Sequence, residues 1–210
     1  MEEMTAVLFV DDNASLCTLY KDIPETAGYS VTTANSGPEA PGVLDTKRSD
    51  LVLLDIMMKD MDGWEVLDHI RERDDCADVS VIVLTAKALI PREVLEYGDA
   101  IQGFIMKPLL VHILREYLGL VLSERKERDT LLSACGDDAS ARVCVAEYMT
   151  LCQQIRVWDT ILSTVEKTFG EMEEDENSDF QAQIQNIRDV IAGKKARFKE
   201  LSASVIAFTT

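Results

Sequence analysis

Histidine is almost missing from this chain. Among 210 residues there are two, His69 and His112. Both lie in the first 122 residues, so nothing beyond them can be a helical module built around a reactive histidine. Long apolar runs are missing as well, since no segment approaches the roughly 18 residues that a membrane-spanning helix needs. Cysteine is sparse and unpatterned. Cys17, Cys76, Cys135, Cys144 and Cys152 form no CxxC and no zinc spacing, and their odd number points to reduced thiols. Cys144 and Cys152 stand eight apart, on one side of a helix but more than two turns from each other, too far to bridge. Positive charge is short: 21 Lys and Arg face 38 Asp and Glu, for a net of −17. Residues 1–120 carry −12 of it and residues 121–210 carry −5. No basic stripe or helix-turn-helix pattern interrupts this, which argues against nucleic acid as a partner. The one cationic cluster, Lys194-Lys195-Ala196-Arg197-Phe198-Lys199, reads as a solvated helix face. The acidic start, MEEMTAVLFV, runs directly into an apolar segment and does not resemble a targeting peptide, so a cytoplasmic location is expected.

What is present is a series of short apolar runs, each ending in a polar group. VLFV precedes Asp11 and Asp12, LVLL precedes Asp55, VIVL precedes Thr85, and FIM precedes Lys107-Pro108. Short, β-branched or leucine-rich runs bounded by turn residues read as strands buried on both faces of a parallel sheet. Helical spacing between them implies crossover units, hence a doubly wound α/β fold. In such sheets ligands bind beyond the carboxyl ends of the strands. The four polar groups therefore converge on one edge of the sheet.

Three carboxylates in one pocket cannot all stay ionised without a cation to offset them. An all-oxygen site with few protein ligands suits Mg²⁺. Lysine compensates further charge and binds anions, and a threonine hydroxyl can bond a phosphoryl oxygen. A carboxylate nucleophile, a screening metal and two donors are the minimum needed to form an aspartyl phosphate.

On VLFVDDN, LVLLDIMMKDMDGWEVL, VIVLTAK and GFIMKP, residues 5–122 resemble the receiver domain of two-component response regulators. The spacings run in order: 43 residues from Asp12 to Asp55, 30 to Thr85 and 22 to Lys107. The resemblance implies a five-stranded parallel sheet of flavodoxin-like type, and it implies roles. Asp55 accepts a phosphoryl group from a phosphohistidine of a cognate histidine kinase or phosphotransfer protein. Asp12, Asp55 and the backbone carbonyl of Met57 ligate Mg²⁺, with Asp11 acting nearby through water. Lys107 pairs with the phosphoryl group, Thr85 moves to bond it, and Phe104 is the switch aromatic that follows Thr85. MDG, Met61 to Gly63, fits the loop after the acceptor, with Gly63 freeing the backbone for a tight turn. The Lys107-Pro108 bond is predicted cis.

The chain also departs from that pattern. Lys59 stands where the family usually has proline, which should loosen the loop without touching a ligand. Pro24 and the Pro41-Gly42 pair fall within helical stretches and predict short or kinked helices. Met57, two after the acceptor, orients water poorly, and Lys87, two after Thr85, can reach over the phosphoryl group. Together they predict slow self-dephosphorylation, the alternative being that Met57 supplies only its carbonyl and Lys87 is solvated. No other enzymatic activity is expected.

The remainder reads as all helix. The last receiver helix is predicted to begin near Leu109, with residues 123–136, which include SERKERD, as a linker or its exposed extension. Residues 137–210 follow as a helical hairpin. Asp137 and Asp138 offer an N-cap to a stripe of Tyr148, Cys152, Ile155, Trp158, Leu162, Val165 and Phe169. Gly170 and the acidic EMEEDENSD should end that helix. Ser178 or Asp179 should cap a second, striped by Phe180, Ile184, Ile187, Ile191, Phe198, Leu201, Val205 and Phe208 and interrupted at Lys194 and Lys195.

Two such stripes bury too little to stand alone. A homodimer through these helices is expected to supply the missing surface, with packing on the receiver or a foreign protein as the alternatives. The reading is a response regulator that signals to a downstream protein through its helical C-terminus. Three others stand beside it: a transcriptional regulator with an atypical output domain, a receiver with fused phosphatase helices using Asp179 and Gln183, and a phosphate sink.

Overall fold

A computed structural model describes residues 5–26, 29–76, 79–87, 89–108, 110–169 and 178–209. Five strands form one sheet: β1 (Ala6–Val10), β2 (Ser30–Ala34), β3 (Leu51–Asp55), β4 (Ser80–Thr85) and β5 (Gly103–Met106). All neighbours are parallel, in the order β2-β1-β3-β4-β5. The expected doubly wound, flavodoxin-like sheet is what the chain adopts. Leu8 to Val10, Leu51 to Leu54 and Val81 to Leu84 are all buried, so β1, β3 and β4 are covered on both faces, as continuous apolar runs in parallel sheets require. The edge strand β2 is different. Its sequence, SVTTA, is half-polar and mostly half-exposed, and one neighbour is enough to hold it.

Each helix begins for a local reason. Asn13 caps α1 (Ala14–Thr26), its Oδ1 accepting from the backbone N–H groups of Ser15 and Leu16 at 3.1 and 3.3 Å. Pro24 lies in the last turn of α1, near its natural end. In α2 (Glu39–Thr46) Pro41 is the third residue, where the N–H has no intrahelical acceptor in any case. The helix is short, as expected, and unbroken. A reciprocal capping box starts α3 (Gly63–Arg71): Asp62 accepts from the Glu65 N–H at 3.0 Å and Glu65 from the Asp62 N–H at 2.9 Å. A single 3₁₀ turn, Asp74–Cys76, precedes β4. Pro91 occupies the first position of α4 (Pro91–Tyr97), and Glu93 reaches back to the Ile90 N–H.

Helix α5 runs from Val111 to Ala134 without interruption. The expected start at Leu109 lies outside the described residues, and the segment 123–129 is a continuation of the helix. Gly136, at φ +54°, stops α5 in the left-handed conformation that glycine adopts at least cost. Asp138 then caps α6 (Ala139–Phe169), accepting from the N–H groups of Ser140 and Ala141 at 2.9 and 3.0 Å. The last helix is α7 (Ser178–Thr209). Gly170 and most of the expected acidic loop lie outside the described residues.

The chain divides into two compact units, Met1–Lys87 with Ala100–Tyr117, and Ala88–Asp99 with Leu118–Thr210. The first contains the sheet. The second contains the C-terminal part of α5, α6 and α7, and also α4. Within it α6 and α7 run antiparallel, since Glu147 pairs with Arg197, Asp159 with Lys195 and Glu166 with Arg188. Arg156 makes a two-pronged bond to Glu124 of α5, both N···O distances being 2.9 Å. Cys135, Ala141, Val145, Met149 and Val205 form one buried cluster, flanked by Leu131 and Leu132. The pairing is thus wider than a hairpin, with α5 as the third helix.

Of the expected α7 stripe, Ile184, Ile187, Ile191, Leu201 and Val205 are buried and Phe180 and Phe198 are half-buried, while the side chain of Phe208 lies outside the described ones. The stripe of α6 is shifted. Val145, Met149, Val157, Trp158, Ile161 and Val165 are buried, whereas Cys152 is exposed. Two partner helices define its buried face, so the densest line of apolar residues was a poor guide. Among the described residues no helix is long and apolar enough to cross a membrane.

Burial also orders the thiols. Cys17, Cys76 and Cys135 are buried and Cys152 is exposed. Burial, and next the charge of Asp11, push the Cys17 thiol up to about 11, so it stays protonated at neutral pH. Titration with a disulfide reagent at neutral pH is expected to modify Cys152 in the native chain and the three buried thiols only on unfolding. Rapid native labelling of Cys17 would contradict this burial.

Candidate functional site

The sheet order reverses between β1 and β3, because the chain passes from β1 outward to β2 and then back across to β3. A crevice opens at such a switch point beyond the strand ends. Asp11 and Asp12 follow β1, Asp55 ends β3, Thr85 ends β4 and Lys107 follows β5. The four separated motifs therefore meet at one edge.

Asp11 and Asp55 are 1 % and 4 % exposed, and Thr85 is 0 % exposed. Lys107 Nζ lies 2.7 Å from Asp11 Oδ2 and 2.9 Å from Asp55 Oδ2. Burial alone lowers the tendency of Lys107 to hold its proton; hydrogen bonds to Asp11 and Asp55, with the attraction of their charges, outweigh it and hold the ammonium above its ordinary value. The remaining carboxylate oxygens meet backbone donors. Asp11 Oδ1 accepts from the Asn13 N–H at 2.9 Å and Asp55 Oδ1 from the Met57 N–H at 3.2 Å. Thr85 Oγ1 accepts from the Lys87 N–H at 3.1 Å.

One carboxylate oxygen from each of Asp11, Asp12 and Asp55 lies within 4.8 Å of the others. Asp12 is exposed, and so open to a cation arriving from solvent. Three carboxylates against one ammonium leave two negative charges, matching a divalent ion, and an all-oxygen donor set suits Mg²⁺. The residues present fit the metal that the acidic pocket implies.

The loop after Asp55 contains what sequence reasoning missed. Lys59 does touch an expected ligand: its backbone N–H donates to Asp12 Oδ2 at 3.3 Å. A proline there has no N–H to give, so the departure from the family pattern adds a bond. Asp60 sits at φ +68°, a conformation that aspartate tolerates better than most residues. Gly63 is needed for space more than for a turn, because a Cβ there would collide with the Asp55 carbonyl oxygen and lie 2.7 Å from Ile56 Cα. Met57 is 55 % exposed. Phe104 is buried, and its carbonyl accepts from the Tyr117 hydroxyl at 3.2 Å. The Lys107-Pro108 bond is cis, as predicted. Elsewhere, Asp179 and Gln183 bond each other at 2.8 Å on an exposed surface.

Replacing Lys107 by Met leaves two buried carboxylates with no cation. Urea unfolding in the absence of divalent metal is expected to show a loss of about 3 kcal/mol, with part regained when Asp11→Asn is added. Additive losses would show that the three groups do not form one charge network.

A family model described as the response regulator receiver domain matches residues 7–118. The chain is 29 % identical over 118 residues to the polar-differentiation response regulator DivK of Brucella anthropi, covering 54 % of this chain and 96 % of that protein. Among solved structures it is similar to the chemotaxis protein CheY4 of Vibrio cholerae, at 28 % identity and a TM-score of 0.53, over 57 % of this chain and 99 % of that one. It is also similar to the receiver domain of the sensor histidine kinase PA1611 of Pseudomonas aeruginosa, solved with a magnesium ion coordinated in its active-site cleft. There the identity is 29 % and the TM-score 0.50, over 55 % of this chain and 95 % of that one.

Proposed function

Because this chain belongs to the response regulator receiver family through residues 7–118, we propose that it accepts a phosphoryl group on Asp55 and passes the signal on through its helical C-terminus. The observation that carries the reading is the meeting of Asp55 with Lys107 at 2.9 Å, beside Asp11 and Asp12. A carboxylate oxygen of Asp55 attacks the phosphorus of a phosphohistidine on a kinase or phosphotransfer protein. The nitrogen–phosphorus bond breaks, and the imidazole leaves with its electron pair and takes up a proton. Asp12, Asp55 and the Met57 carbonyl, with Asp11 alongside, are the groups to hold Mg²⁺, and the similar PA1611 receiver carries a magnesium ion in its active-site cleft. When bound, the metal screens the negative charge of the incoming phosphoryl group.

Lys107 lies in reach of the new phosphoryl oxygens, and Thr85 supplies a hydroxyl donor. Phe104 follows Thr85 as the switch aromatic. Met57 orients an attacking water poorly and Lys87 reaches over the phosphoryl group, which makes the product long-lived. A homodimer through α6 and α7 has less physical motive than the stripes suggested, because α5 covers part of those stripes within one chain. The output is therefore read as contact with a downstream protein in the cytoplasm.

The test is incubation with acetyl phosphate and Mg²⁺, read by intact mass and peptide mapping. One phosphoryl group on Asp55 is expected, absent in Asp55→Asn and in the presence of a chelator. Modification elsewhere, or none, would contradict the proposal.

A further inference from the structure

One segment matched by the family model belongs, by its contacts, with the C-terminal helices. Residues 88–99, which include α4, group with Leu118–Thr210. Three unusual features converge on the end of that segment. Trp158 on α6 is buried, and its indole N–H needs an acceptor; it donates to Asp99 Oδ1 at 2.7 Å. Lys194 falls on the apolar stripe of α7, and its side chain is only 13 % exposed. A covered ammonium on such a face requires a fixed anion. It has one: Lys194 Nζ lies 2.8 Å from both Asp99 oxygens and bonds Gln154 Oε1 as well. The ammonium is also 5.7 Å from the centre of the Trp158 ring, within cation–π range. Finally, Trp158 lies so close over Gly98 that a Cβ there would be 2.8 Å from the indole.

The segment leaves the phosphoacceptor unit after Lys87 and rejoins it at Ala100. At its entrance the Lys87 N–H donates to Thr85 Oγ1 at 3.1 Å. At its exit the Ala100 carbonyl accepts from Arg71 Nε and Nη2 at 2.9 and 2.6 Å. A Thr85 hydroxyl that turns toward a phosphoryl oxygen on Asp55 changes the geometry of its bond to Lys87, where the excursion to α4 begins.

We infer that Asp99, Trp158 and Lys194 form an intramolecular clamp by which the C-terminal helices hold α4, opposing the movement of this segment that a phosphoryl group on Asp55 would drive through Thr85 and Lys87. The inference rests on the proposed phosphoacceptor role of Asp55. The helical module then acts as a built-in reader of α4, and its first partner is this same chain. Coupling of this kind is reciprocal: if a phosphoryl group loosens the clamp, loosening the clamp favours the phosphoryl group by the same factor.

The test uses the full chain labelled with 5-fluorotryptophan, with Trp64→Phe assigning the two fluorine resonances. Beryllofluoride with Mg²⁺ serves as the phosphoryl mimic. The Trp158 resonance is expected to shift on addition of the mimic. Asp99→Asn and Lys194→Met are each expected to bind the mimic about fivefold or more tightly than the unaltered chain, the lower end of ordinary coupling between sites. Should Asp99→Asn lose helical circular dichroism, Lys194→Met, which keeps the apolar stem, carries the comparison. Binding of the mimic with a fixed Trp158 resonance, or unchanged or weaker affinity in the folded variants, overturns the clamp alone. No binding of the mimic and no phosphoryl group on Asp55 in the unaltered chain overturns the phosphoacceptor reading and the clamp together.

Discussion

One ammonium shared between two buried carboxylates organises the functional end of this molecule. Lys107 lies within 2.9 Å of both Asp11 and Asp55. These charges can be buried only because they are paired and because the free oxygens meet the N–H groups of Asn13 and Met57. The pairing requires the ends of β1, β3 and β5 to come together, which the order β2-β1-β3-β4-β5 provides. It also leaves a net negative pocket at the sheet edge, with Asp12 facing solvent. The same feature that constrains the fold leaves an acidic pocket that suits a divalent cation.

Much of this was legible in the sequence because the relevant groups sit at strand ends, and strand ends are marked by abrupt changes from apolar to polar residues. Asp11, Asp55, Thr85 and Lys107 could be placed together from topology alone. The edge strand β2 could not be located in the same way, since SVTTA is covered on too little of its surface to need an apolar run. Two contributions lie in the backbone, where residue type alone does not reveal them. Lys59, in place of a proline, gives an N–H to Asp12. Gly63 leaves room for the Asp55 carbonyl and Ile56.

The C-terminal half was legible as helices but less so as an assembly. Periodicity marks an amphipathic face when one partner covers it, and α6 is covered by more than one helix. Its buried line is therefore broader than a single stripe, and Cys152 falls outside it. The sharpest failure of pattern was Lys194, which looked like an interruption. Its explanation lies in Asp99, 95 residues earlier in the chain, and no local rule connects the two. The sequence divides into a receiver at 1–122, a linker or helix extension at 123–136 and a helical hairpin at 137–210. By contacts, residues 88–99 group with the later helices. A helix as short as α4, seven residues, has little stability alone, and Gly98 and Asp99 give Trp158 and Lys194 a place to hold it.

The central claim is that Asp11, Asp12 and Asp55 constitute a metal site whose charge Lys107 only partly balances. Calorimetric titration of the full chain with Mg²⁺ tests it most directly. One ion bound per chain is expected, with binding lost in Asp12→Asn while helical circular dichroism is retained. Absence of binding in the unaltered chain, or equal binding in Asp12→Asn, would contradict it.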